Sequence, residues 1–216
     1  MKHLIIVASI ALAPACANAP APEAPAAPQL SAEQCGVDLG KHMNLTFDEF
    51  DQNLDAGWRE IANKPGCQQA GADLIALYRD QQLAQQAAGL DWHEAQLRAA
   101  AGETGKALDL FRRNLAFKKA NAEDAGAAAD VLYGEATIAF LERDRKTLQA
   151  KRDALAALPK PDWFEVTAAN FRKKFPDAKA VMAWPTNLNV VDGFIACFDK
   201  PYTEAYSFNC QPRPPG

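Results

Sequence analysis

The chain has 216 residues, 49% of them hydrophobic and 23% charged, which is enough for one sizeable core. A formal charge of −4 and a pI near 5.4 exclude a broad basic field. Nucleic acid is therefore a poor partner for the chain as a whole, because phosphate binding leans on clustered Lys and Arg.

Residues 1–17 open with a short basic head, Lys2 and His3, followed by an apolar run from Leu4 to Ala13 and a small-residue tail. This is the layout of a secretory signal, and the run is too short to span a membrane as a mature helix. Ala15 and Ala17 place cleavage after Ala17, since a cut after Ala19 would leave Pro20 just past the scissile bond. A periplasmic or secreted protein is expected. The rival reading acylates Cys16 and gives an outer-membrane lipoprotein. Against it, the large aliphatic residue due three places before that cysteine is Ala13, with Leu12 one step too early. Residues 18–30 are rich in Pro and Ala, and X-Pro steps disfavour helix, so they are expected to be a flexible linker. The folded domain is expected over 31–211, with a short tail at 212–216.

Setting Cys16 aside leaves Cys35, Cys67, Cys197 and Cys210. An even number in an oxidising compartment reads as two disulfides. Of the three pairings, the sequence-local one, Cys35–Cys67 and Cys197–Cys210, is favoured because the two pairs lie at opposite ends of the chain. The only histidines past the signal are His42 and His93, and no C-x-x-C spacing occurs. Neither a metal nor another cofactor is expected.

Nearly everything after Ser31 reads as helix. "LTFDEFDQNLDAGWREIA" opens with a capping box, Thr46 as N-cap and Glu49 three residues on, with Leu45 and Phe50 placed as a hydrophobic staple. Phe50, Leu54, Trp58 and Ile61 recur on one face, and "NKPG" (63–66) ends the helix. The next helix is expected over about 68–86, with Leu74, Leu77, Tyr78 and Leu83 inward. A helix, a tight turn at "AGETG" and a second helix follow, with Ala107, Leu108, Phe111 and Leu115 in register. The basic run "FRRNLAFKK" (111–119) reads as a solvated helix face.

A second helix–turn–helix, with its turn at "ERDRK", can be laid over the first at an offset of 41 residues: Glu94 and Ala95 fall on Glu135 and Ala136, and Gly102 on Arg143. "LPKPDWFEVTAANFRKKFP" supplies a further helix with Phe164, Ala168, Phe171 and Phe175 at helical spacing. In "NLNVVDGFIACF", Asn187 suits an N-cap, and the run is apolar nearly all round, so a buried closing helix is expected, with a strand as the alternative. Asp192 inside it reads as a structural acid that caps a neighbouring helix or pairs with an Arg.

"AGETGKALDLF" resembles the turn and second helix of a tetratricopeptide repeat: Gly102 closes the first helix, Ala107 takes the small position, and Phe111 follows four residues later. Glu94 departs from the pattern, and the second unit has Arg143 and Leu148 at the Gly and Ala places. The resemblance covers roughly residues 90–158. The closing segment also resembles the C-terminal portion of exported repeat proteins of Gram-negative bacteria, a family that implies no activity. The fold so implied is all-α, with antiparallel helical hairpins stacked as a short tetratricopeptide-like superhelix stapled by disulfides.

The same resemblance implies groove-facing positions at Trp92, Gln96, Tyr133 and Thr137, with the two aromatics as anchors for another envelope protein or a peptide. The competing reading packs these aromatics against flanking helices and leaves no groove. No Walker A, GxGxxG, GxSxG or HExxH motif occurs. His93 lies between Trp92 and Glu94, but adjacent helix positions point to different faces, so it reads as partly exposed and idle. The expected function is a non-enzymatic binding or scaffold module. The rival is a helical hydrolase, which would need a polar pocket joining His93 to an acid such as Asp192 or Glu94.

Overall fold

The computed structural model describes residues 28–81, 84–121, 125–176 and 182–212. The expected signal peptide with Cys16, the linker up to residue 27, Leu83 and residues 213–216 of the tail lie outside the described residues. Among the described residues there is no strand. Helices α1 (Leu39–His42), α2 (Trp58–Ala62) and α3 (Gln68–Arg79) lead into the long α4 (Ala84–Ala100), α5 (Thr104–Ala120) and α6 (Ala125–Leu141). Then come α7 (Arg145–Ala156), α8 (Trp163–Lys174), α9 (Leu188–Ala196) and α10 (Tyr202–Ala205). None of these helices is long and apolar enough to cross a membrane.

Each of α2 to α6 packs on the helix that follows it, and α9 lies on α6 and α7 while α10 reaches α4. Two apolar clusters result. The first gathers Phe50, Trp58, Ile61, Leu74, Ile75 and Tyr78 around the Cys35–Cys67 bond. The second gathers Phe111, Tyr133, Phe140, Leu148, Val191 and Phe194 from α5 to α9. Helix α4 serves both, with Leu90 in the first and Ala95 and Ala99 in the second. Both disulfides have the sequence-local pairing: Cys35–Cys67 with Cα atoms 5.8 Å apart, and Cys197–Cys210 with 5.9 Å. The fold is anchored upstream of Ser31, since Leu30 N–H donates to the Gly66 carbonyl and Gln69 N–H to the Gln29 side chain.

The repeat seen in the letters is reproduced in the helix boundaries. Helix α4 starts at 84 and α6 at 125; α5 starts at 104 and α7 at 145, so both pairs carry the same offset of 41 residues. Their turns close alike. Gly102 N–H donates to Ala99 O at 3.1 Å and Glu103 N–H to Arg98 O at 2.8 Å. One repeat later Arg143 N–H donates to Phe140 O at 3.1 Å and Asp144 N–H to Ala139 O at 2.9 Å. This is the Schellman arrangement, in which a left-handed residue after the helix satisfies its last carbonyls. Asp144 then caps α7 through the Thr147 N–H.

The expected continuous helix over 46–62 is not present. The capping box forms, with Glu49 Oε2 accepting from Thr46 N–H and Thr46 Oγ1 from Glu49 N–H. It leads into a short π-helical turn, Asp48–Gln52, and the chain then breaks before α2. The Asn53 side chain accepts from Asp55 N–H, a local bond that competes with helix. Gly57 has φ 60°, and a Cβ there would lie 2.0 Å from the Phe50 carbonyl oxygen. The break turns Leu54 outward, 58% exposed, whereas Phe50, Trp58 and Ile61 stay buried. Leu77, expected inward, is 51% exposed, because Ile75 fills the place against α4 instead. Asn187 makes no side-chain cap; it adopts a left-handed φ of 63° at the entry to α9, which is helical rather than extended.

Candidate functional site

The four expected groove positions come together on the face shared by α4 and α6, but that face is covered. The Trp92 and Tyr133 rings, one repeat apart, lie 5.0 Å from each other, and Trp92 also meets Phe111 edge-on at 4.8 Å. Tyr133 and Thr137 are buried, and the Thr137 hydroxyl donates to the Tyr133 carbonyl of its own helix. Gln96 donates to the Tyr206 hydroxyl at 3.0 Å. From above, Phe194 of α9 stacks on Phe140 at 4.6 Å, and Tyr202 of α10 completes the lid. The chain's own C-terminal segment thus occupies the surface a partner peptide would take. Burial, with the neighbouring Tyr206 adding to it, holds the hydroxyls of Tyr133 and Tyr202 well above the usual phenol pKa, so both stay neutral.

Beside this lid an open cleft of about 690 Å³ remains. Its walls come from four separated stretches: Asp130 on α6, Phe171 on α8, the approach to α9 and its first turn with Met182, Asn187 and Asn189, and the segment after α10. That last wall carries Tyr206 and Phe208, and Phe208 is 74% exposed. Polar groups order it. Asn189 donates to Gln211 Oε1 at 2.6 Å, and Gln211 donates to the Tyr206 carbonyl at 2.9 Å. The Cys197–Cys210 bond closes the loop that bears this wall. Gly193 lets the wall approach α9, since a Cβ there would lie 3.0 Å from the Ala205 carbonyl oxygen. A mainly apolar concavity with a few convergent polar groups is the usual form of a binding site.

The acids named beside His93 serve elsewhere. Asp192 accepts from Arg152 Nε at 2.7 Å, tying α9 to α7 as a structural acid. Glu94 is buried and bridges Arg79 of α3 to Arg98 of its own helix, while Arg98 also reaches Asp73 and Glu103 at 2.7 Å each. This explains an acid at that place in α4: it docks α3 through charge. The basic run is likewise more than a solvated face, since Arg113 holds Asp91, Lys118 holds Asp130 and Lys119 holds Glu135.

His93 is not idle. Its Nδ1 lies 2.7 Å from Oδ1 of the buried Asp51, which also accepts from Trp58 Nε1 at 2.9 Å. A carboxylate only accepts, so Nδ1 carries the proton and Nε2 is left as the ring's acceptor when neutral. Burial would raise the Asp51 pKa, but the hydrogen bonds and charge of His93, the Trp58 bond and the charge of Arg59 bring it below the usual carboxylate value. No local spacing links Asp51 to His93, 42 residues on. The cleft was equally hidden, its one linear signal being the aromatics of "YSFNCQ". Among the described residues no group of three or more metal-ligating side chains gathers. No protein-family model, no curated protein and no solved structure matches the chain.

Proposed function

We propose that the chain is an exported, non-enzymatic binding module, tetratricopeptide-like in plan, that holds another envelope protein or peptide in the cleft beside its C-terminal lid. The observation that carries this reading is the cleft itself, with the rings of Tyr206 and Phe208 set at its mouth on a wall braced by a disulfide. Exposed aromatics on a rigid support are typical anchors for a partner. Export is supported by the two disulfides, which belong to oxidising compartments, and by the signal-like residues 1–17. The tetratricopeptide likeness rests on the repeated Schellman-closed pair, although the period of 41 residues exceeds the usual ~34.

The test is cross-linked capture from envelope extract with wild-type bait and a Phe208→Ala variant of equal thermal stability. A partner held by the wild type and lost from the variant is expected. Equal recovery from both sinks the reading. The second reading, a helical hydrolase, is favoured by the Asp51–His93 pair, whose carboxylate-to-Nδ1 contact is of the kind that orients a catalytic histidine. Among the described residues no hydroxyl or thiol is hydrogen-bonded to His93, so the binding reading is preferred. Turnover of an activated ester that disappears in His93→Ala would reverse that preference.

A further inference from the structure

We infer that the cleft selects a short, extended, proline-rich peptide carrying one basic side chain, an inference that rests on reading the cleft as the partner site. Three observations converge. The rings of Phe171, Tyr206 and Phe208 line it, and such ridges grip polyproline II segments, whose stiff backbone loses little entropy on docking. A polyproline II backbone bonds none of its own carbonyls, so it needs side-chain donors. The amides of Asn187, Asn189 and Gln211 stand in the lining, and each NH2 group carries two hydrogens, of which the bonds from Asn189 and Gln211 use one apiece. Asp130 is the one Asp, Glu, Lys, Arg or His among the described lining residues. It is about half exposed and shares a single Lys118 contact at 3.1 Å. On a chain of net charge −4, that carboxylate favours a cationic ligand and disfavours an acidic one. The other peptide modes fit less well, because the described residues offer no sheet edge for strand addition, and the groove that a helix would need is filled by α9 and α10.

The test uses the mature, oxidised chain with Arg213→Glu, so that its own residues 211–216, Gln-Pro-Arg-Pro-Pro-Gly, do not supply the ligand, and three synthetic hexapeptides: that native sequence, the same with Glu for Arg, and the same with Ala for every Pro. Binding is followed by amide chemical-shift changes. The basic proline peptide is expected to move the resonances of Asn189, Phe208 and Gln211, and to bind about tenfold more tightly than either control, a difference of one decade in Kd. Phe208→Ala should weaken it by about tenfold or more, and Asp130→Asn should bring the Arg and Glu peptides to within about twofold of each other. Equal binding of all three peptides overturns the inference. So does silence from all three, or a short-chain fatty acid shifting the same resonances while the peptides do not. Those outcomes leave the proposed function standing if Phe208→Ala still loses the captured partner. Capture that ignores Phe208 defeats the function itself.

Discussion

Arg143 stands one repeat after Gly102 and holds the same left-handed backbone, φ 58° against 79°. A non-glycine residue there carries a conformational penalty of about 1 kcal/mol. At Arg143 the side chain offsets it: the guanidinium donates to the Phe198 and Lys200 carbonyls and lies over the Phe140 ring at 5.0 Å. The turn of the second unit is therefore also a clamp on the segment that follows α9. Gly102→Ala should lose about 1 kcal/mol in urea unfolding. Arg143→Gly should relieve the backbone yet still lose about 1 kcal/mol net, because charge-assisted bonds are worth more than the relief. A stabilised Arg143→Gly variant would show that the clamp contributes nothing.

The buried charges between α3 and α5 depend on Glu94. Removing it takes one carboxylate from each of Arg98, which keeps Asp73 and Glu103, and Arg79, which keeps Asp91. Glu94→Ala is expected to destabilise by about 1–3 kcal/mol, the loss of charge-assisted bonds in a network whose arginines keep other partners. Lys106→Ala, at the exposed rim of the same network, should change stability by less than about 0.5 kcal/mol. Chemical denaturation of the two variants side by side checks the contrast.

Asp51 gives the acid limb of stability a specific source. Its pKa lies below the ordinary value in the folded chain, so its contribution is fully present above the unfolded value of about 4. That contribution is lost as the pH falls through the folded pKa. Asp51→Asn should cost about 2 kcal/mol near neutrality, with the His93 and Trp58 donors left facing a weaker acceptor. The variant should then show a shallower decline than wild type as the pH falls below the ordinary carboxylate value of about 4. Parallel acid limbs, measured by thermal melts across that range, would contradict the assignment.

The two disulfides close loops of different length, with sequence separations of 32 and 13. On the chain-entropy view, deleting Cys35–Cys67 costs about 4 kcal/mol and deleting Cys197–Cys210 about 3 kcal/mol. The second deletion should also release the cleft wall, so Tyr206 and Phe208 lose their fixed geometry before the rest unfolds. Alkylation of the native protein, followed by peptide mass mapping, should label none of these four cysteines.

Much of the secondary structure was legible because it depends on neighbours in the chain. The hairpin turn at Gly102, the helix stop at "NKPG", the Thr46–Glu49 box and the offset of 41 residues all arise from local backbone chemistry. The disulfide pairing was reachable from sequence distance alone. The interruption at Gly57 was not, because it depends on the Phe50 carbonyl lying against that residue after the chain has folded back. Asp51 with His93, Glu94 with Arg79, and Arg143 with Phe198 likewise join residues far apart in the chain.

The amino-acid order by itself determined that this protein is a run of paired helices with two cysteine staples, since hydrophobic period, caps and turn residues act over a few positions. Only the tertiary structure decided what those helices present. The closing segment lays its aromatic side chains over the α4–α6 face, so the expected groove positions are covered and a separate cleft opens beside the C-terminal lid. Which apolar face covers which is settled by the competition of all faces for burial, a property of the whole chain that no short window contains.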